Sequence, residues 1–206
     1  MEVLYPALLA VSAFCLGACP VSLWIGQWFL GKDIRDYGDG NPGAANVLRA
    51  GGRKLFCLAL VMDIAKGMPF VVLADRLFGF PEAVVMAVGL SAILGHAFSP
   101  LLGFKGGKSI AVTAGVLFAL PQHEMPLIFA VFLCLGFLFI ASDAWTVILG
   151  TAGSLAYLAV ATGSSWQSLF MLCVLIIFAV KQFSELQAVP RVKVKPIYWF
   201  QPRRHI

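Results

Sequence analysis

Two glycine-rich stretches hold the residue types that grip phosphate. The first runs from Gly31 to Gly52 and contains Gly38-Asp39-Gly40-Asn41-Pro42-Gly43, followed by Asn46 and Arg49. Glycines let backbone N–H groups turn toward an anion, and the side chains of Asn41 and Asn46 add donors. Arg49 falls three residues after Asn46, so a short helix would set both on one face and supply a forked cation. The second stretch reads Gly103-Phe104-Lys105-Gly106-Gly107-Lys108-Ser109. Two lysines flanking two glycines, directly before an apolar helix, make a phosphate site at a helix N-terminus.

Two nucleotide-binding readings are excluded by context. Gly38 to Gly43 satisfies G-x-G-x-x-G, but no strand precedes it and no βαβ unit is present. Gly103 to Ser109 resembles a Walker A loop one residue short, and it lies between apolar segments. The plain alternative for both stretches is turn glycines plus the cations that any cytoplasmic loop collects. Topology alone has no need of Asn41, Asn46 or His96. Asp63 and Lys66 stand three residues apart, on one face of an apolar helix. They are either a mutually satisfied pair that locks helices together or part of a site. His96, near the end of another apolar segment, is open to three roles: ligand contact, base or packing donor. The five cysteines (Cys15, Cys19, Cys57, Cys134, Cys173) are odd in number and all lie in apolar stretches, so neither a disulfide framework nor a metal site is expected.

The elements that must position these loops are membrane spans. Of 206 residues, 60% are hydrophobic and 12% charged, against about half and a quarter in globular chains. A helix needs about 20 apolar residues to cross a ~30 Å hydrocarbon layer. Spans are read at 4–30, 54–75, 82–102, 109–121, 125–142, 144–162 and 165–182, the fourth being short. If all seven cross, every one of the 15 Lys+Arg residues except Arg76 and Lys66 falls on the C-terminal side. The positive-inside rule then sets the N-terminus outside and the C-terminus in the cytoplasm. The first apolar run lacks a basic n-region and is longer than a signal peptide's, so it reads as a retained span. The expectation is an all-α membrane protein, a seven-transmembrane-helix bundle forming a single domain over 1–206. Its cytoplasmic substrate loops are 31–53 and 103–108, and its basic cytoplasmic tail is 183–206. The net charge of +5 serves topology, so nucleic acid is not an expected partner.

Gly38 to Arg49, Asp63-x-x-Lys66-Gly67, Gly95-His96 and Phe104 to Lys108 together resemble the bacterial acyl-phosphate:glycerol-3-phosphate acyltransferases, the PlsY family. The resemblance covers about residues 17 to 115, with matching length and span layout. It implies transfer of a fatty acyl group from acyl phosphate to the 1-hydroxyl of glycerol 3-phosphate. The product is lysophosphatidic acid, an intermediate of phospholipid synthesis at the bacterial inner membrane. Residue by residue, it assigns substrate binding to Asn41, Gly43, Asn46 and Arg49 and to Lys105, Gly106, Gly107 and Lys108. Ser22 matches a family serine near the site and joins His96 as a catalytic candidate. The implied partners are acyl phosphate, glycerol 3-phosphate, membrane lipid and the enzyme that supplies acyl phosphate; no cofactor is implied.

The chain departs from the family pattern at four places. The family usually has Ser at Asp39, Thr at Ala45 and Gly at Ser109. Its third motif, a His and an Asn after the last span, is missing from Lys181-Gln-Phe-Ser-Glu-Leu-Gln-Ala188. Asp39 sets a negative charge beside the phosphate cradle, a repulsion of up to about 4 kcal/mol at an effective dielectric near 20. No His-x4-Asp dyad and no nucleophile with an adjacent base is present, which leaves positioning and charge neutralisation as the mechanism. The rival readings are a small-anion transporter and a catalytically silent or substrate-altered relative.

Overall fold

The computed structural model describes residues 4–161, 163 and 165–190, and all its regular elements are helices. Arg191, Lys193, Lys195, Arg203 and Arg204 of the expected basic tail lie outside the described residues. Helix α1 (Leu4–Ala18) breaks at Pro20 and resumes as α2 (Val21–Ile25), which continues in a wider turn to Leu30. Proline lacks the N–H that would continue the ladder. Side chains from other helices take the carbonyls beside the break: Ser99 Oγ donates to Ala18 O at 2.6 Å, and Lys66 Nζ to Cys19 O at 2.8 Å. Backbone groups freed in lipid need such partners, because no water is available there.

A short helix α3 (Ala44–Arg49) lies in the first loop and leads to α4 (Arg53–Ala65). After Gly67 the chain continues as α5 (Pro69–Val72) and a wide turn to Leu77. Helix α6 (Glu82–Ala97) has nine buried positions and is extended by a 3₁₀ turn, Pro100–Leu102. Then follow α7 (Ile110–Ala119), α8 (Glu124–Phe139), α9 (Asp143–Ala161), α10 (Ser165–Lys181) and the single turn α11 (Phe183–Leu186).

Four helical segments are long and apolar enough to cross a membrane: Leu4–Leu30, Arg53–Leu77, Glu82–Leu102 and Asp143–Ala161. The spans read at 109–121, 125–142 and 165–182 become shorter apolar helices; the ten residues of α7 amount to about 15 Å at 1.5 Å per residue. The protein is therefore an all-helical integral membrane protein.

Small residues bring the helices together. A Cβ on Gly67 would stand 2.5 Å from Val112 O, and one on Gly115 would run into Ile64 O, so α4 and α7 meet backbone to backbone. Gly17 and Gly95 seat α1 on α6 in the same way, against Ala92 and Phe14. Lipid is as apolar as leucine, so close van der Waals contact replaces hydrophobic burial as the association force. The two crossings fix the C-terminal end of α6 and the first turns of α7, between which the second loop runs.

Candidate active site

The first loop folds on its own small core. Ile34, Ala44, Val47 and Ala50 pack on Leu23, Ile25 and Ala59. Asp33 closes the turn Ile34–Asp36 by accepting the Arg35 N–H at 2.9 Å, and the Arg35 guanidinium lies 2.6 Å from the same carboxylate. That guanidinium, with its hydrogen bond, holds the Asp33 carboxyl below the usual carboxylate range. Gly38 takes φ +60° with Arg49 Cδ 2.5 Å from where a Cβ would stand, so glycine is required there on both counts.

As the spacing predicts, Asn46 and Arg49 share one face of α3: Arg49 Nη1 donates to Asn46 Oδ1 at 2.8 Å. These donors converge on Asp39. Asp39 Oδ1 accepts from the Asn41 N–H at 3.3 Å, from Asn46 Nδ2 at 2.9 Å and from Arg49 Nη1 at 3.3 Å. Lys108 Nζ lies 2.7 Å from Asp39 Oδ2. The carboxylate of Asp39 thus occupies the centre of the anion cradle. Burial raises its proton affinity, but the hydrogen bond and charge of Lys108, with the Asn41 and Asn46 donors, bring it below the ordinary value.

In the second loop the glycines serve close approach. The Gly107 N–H donates to His96 O at 3.0 Å, and a side chain on Gly106 or Gly107 would collide with the His96 carbonyl or ring. The donor of Gly107 is therefore spent on α6. Ser109, where the resembled family has glycine, holds φ +64° and anchors its hydroxyl on Ile93 O at 3.1 Å. A left-handed non-glycine backbone stores strain. Lys108 is half-buried between two carboxylates, Asp39 and Glu185, each at 2.7 Å. Burial pulls its proton affinity down, and the two hydrogen bonds raise it above the ordinary lysine value. Lys105 is exposed, outside the cavity wall, and makes no ion pair among the described residues.

The cradle is the polar head of a cavity of about 460 Å³. Asp39, Asn41, Gly43, Asn46, Arg49, His96 and Lys108 line that head. The stem runs between α4, α7 and α8, walled by residues such as Leu60, Ala111, Ala114, Phe118, Phe129 and Leu133. A charged head and an apolar stem in one space fit an amphiphile with an anionic end.

Ser22 and Lys66 stand apart from this wall. Ser22 Oγ donates to Asp63 Oδ2 at 2.5 Å, and Lys66 Nζ is 2.8 Å from Asp63 Oδ1. Asp63 reaches the cavity, whereas Ser22 and Lys66 do not line it. Ser22 therefore sits as a support for Asp63, away from the space a substrate would fill. Of the two catalytic candidates, His96 alone faces the cavity.

Three residues at this site escaped sequence reading. Asp143 approaches Arg49 at 3.9 Å, Glu185 binds Lys108, and Gln182 lines the cavity. Gln182 and Glu185 come from the stretch that lacks the family's His and Asn. Trp145 pins that stretch to α9 by donating to Ala188 O at 2.7 Å. Their spacing of three, one helical turn, was the available signal.

Residues 7–190 match the family described as glycerol-3-phosphate acyltransferase. A glycerol-3-phosphate acyltransferase of Neisseria gonorrhoeae (strain NCCP11945) is 37% identical over 157 residues, which are 75% of this chain and 78% of the relative. One from Streptococcus equi subsp. zooepidemicus (strain MGCS10565) is 39% identical over 132 residues, 64% and 61% of the two chains. The crystal structure of PlsY, an integral membrane glycerol 3-phosphate acyltransferase, in its glycerol 3-phosphate form superposes with a TM-score of 0.79 at 28% identity, covering 88% of this chain and 90% of that one. Its lysophosphatidic acid form gives 0.78 at 27% identity, with the same coverage. With the matched segment spanning nearly all the described helices, the chain belongs to the glycerol-3-phosphate acyltransferase family.

Proposed function

We propose that this protein moves a fatty acyl group from acyl phosphate to the 1-hydroxyl of glycerol 3-phosphate, releasing inorganic phosphate and forming lysophosphatidic acid. The observation that carries the reading is the single cavity that joins the Asn46–Arg49–Lys108 cradle to an apolar stem between α4, α7 and α8. The acyl tail fills the stem, and the cradle holds the phosphates at its head. The acceptor oxygen attacks the acyl carbon, the bond from that carbon to the phosphate oxygen breaks, and the departing phosphate takes the hydroxyl proton. Cations gathered at the head neutralise the charge that builds on the carbonyl and the leaving group. Acceptor and carbonyl are held side by side, so much of the barrier is met by positioning. His96 lines the same wall, and Asp63, steadied by Ser22 and Lys66, borders it.

In this reading all seven apolar helical segments cross the bacterial inner membrane, with the loop at 31–53 and the C-terminal tail in the cytoplasm. The short helix α7 crosses only with the loop residues that flank it. The enzyme that makes acyl phosphate is the natural supplier of donor from that side.

Purified protein supplied with palmitoyl phosphate and labelled glycerol 3-phosphate should form labelled lysophosphatidic acid, with palmitoyl thioester inactive as donor. Product from the thioester alone would overturn the donor assignment. One observation favours a substrate-altered or silent relative: three carboxylates, Asp39, Asp143 and Glu185, crowd Arg49 and Lys108. Lipid binding without turnover on either donor would establish that second reading.

A further inference from the structure

We infer that Gln182 is an acceptor-binding residue whose side-chain carbonyl takes a hydrogen bond from a hydroxyl of the acceptor substrate; this rests on the functional reading above. Gln182 sits at the joint between α10 and α11, and its backbone is fully committed there. Its N–H donates to Phe178 O at 3.0 Å, and its carbonyl accepts the Glu185 and Leu186 N–H groups at 3.0 Å each. The residue is 0% exposed and stands on the cavity wall. Its amide nitrogen reaches Phe178 O at 3.5 Å, a long contact. Turning the amide over would set oxygen against that carbonyl oxygen, so the nitrogen faces Phe178 and Oε1 is the open atom. Oε1 has no hydrogen-bond partner among the described residues. The other buried oxygen on the cavity wall without a hydrogen bond, Asp63 Oδ1, already has Lys66 at 2.8 Å.

A buried amide oxygen is an acceptor without a donor, and such groups are rare because they are costly. Glycerol 3-phosphate brings donors only through its hydroxyls, since its ionised phosphate accepts. Gln182 therefore answers the glycerol end while the cradle answers the phosphate. Glu185, one turn further on, fixes the joint from the other side through Lys108. An amide has no useful basicity, so Gln182 holds the hydroxyl without removing its proton.

The test uses the full-length protein in detergent or vesicles, with Gln182→Met as a variant of similar reach lacking both polar atoms. The KM for glycerol 3-phosphate should rise about three- to tenfold, the loss of one ordinary hydrogen bond. The KM for palmitoyl phosphate should stay within about twofold. The same pair is then compared on 3-hydroxypropyl phosphate, which lacks the 2-hydroxyl. A penalty that disappears assigns Gln182 to the 2-hydroxyl, and one that persists assigns it to the 1-hydroxyl. Unchanged kinetics, or an equal rise for both substrates, overturns the inference. Should the methionine variant not fold, Gln182→Asn, which withdraws the amide by one methylene, is measured in the same way. If the wild type makes no lysophosphatidic acid, both readings fall; if it does and the variants are indifferent, only this one falls.

Discussion

The Ser22–Asp63–Lys66 cluster and the Asp39–Arg49–Lys108 cradle each pair an aspartate with a lysine, yet one is closed and the other overfilled. In the inner cluster one carboxylate meets one ammonium, with side chains only 2% and 4% exposed. The remaining contacts go to a serine hydroxyl and to the Cys19 carbonyl left beside the Pro20 break. In the outer cradle two cations face three carboxylates, and the side chains of Asp39, Arg49 and Glu185 are 28%, 41% and 37% exposed. A desolvated pair whose charges meet each other holds helices in place. A half-wet cluster with surplus carboxylate exchanges partners at little cost. Stability should therefore depend on the first and substrate affinity on the second.

The largest effect is expected from breaking the inner cluster. Lys66→Ala removes the partner of Asp63 and uncovers Cys19 O together, and losing one side of a buried pair costs about 3–5 kcal/mol. Thermal unfolding in detergent should fall sharply, with little folded protein recovered. The double variant Asp63→Leu, Lys66→Met should recover part of the loss, since no charge is left alone, but Cys19 O remains uncovered. A single Lys66→Ala protein of wild-type stability would show that this cluster is not a lock.

The next effect separates the two lysines of the second loop. Lys108→Ala withdraws a charge-assisted contact worth about 1.5–3 kcal/mol, so kcat/KM should drop about 10- to 150-fold with unfolding little changed. Lys105 is exposed and off the cavity wall, so Lys105→Ala should cost about threefold or less. Equal losses in both variants would mean that the loop acts through its overall charge. The pair with Asp39 should persist over the working pH range. Asp39 titrates below its ordinary 3.8, so its contribution is present above that value and lost as pH falls through the folded value. Lys108 titrates above its ordinary 10.5, so its contribution is present below that value and lost as pH rises through the folded value.

The sequence carried much of this arrangement. Apolar runs located the helices, and the spacing of Asn46 and Arg49 placed them on one face of α3. Other features depend on pairing between distant segments, which no local pattern records. Ser22 and Asp63 are 41 positions apart, and Lys66 and Cys19 are 47 apart. Composition marks Gly106 and Gly107 as permissive backbone without saying what approaches it; what approaches is His96. Gln182 escaped because an amide is unremarkable until its burial and its unused oxygen are both known. Resemblance to the family drew attention to what was missing from 181–188, and the structure supplied what stands there instead.

A smaller effect than that of Lys108, and the finest test of the comparison, comes from Asp39. Its carboxylate draws the Asn41 N–H, Asn46 Nδ2, Arg49 Nη1 and Lys108 Nζ, the donors expected to meet a phosphate. A bound phosphate must share or displace these contacts. Asp39→Ser restores the residue usual in the resembled family, removes a like charge and returns Lys108 and Arg49 to the substrate. KM for glycerol 3-phosphate should fall by about two- to tenfold, the scale of one partly screened charge interaction. Because Asp39 stays ionised well above pH 4, the ratio of variant to wild-type KM should be flat from about pH 7.5 to 9, where the substrate phosphate is also fully ionised. Raising salt should shrink the difference, since the cradle is half-exposed. Loss of activity in Asp39→Ser, with unfolding unchanged, would instead make this carboxylate a ligand for an acceptor hydroxyl. In that case the crowding of carboxylates at the cradle would be a recognition surface for a polyol, and Asp39 and Gln182 would act on the same end of the substrate.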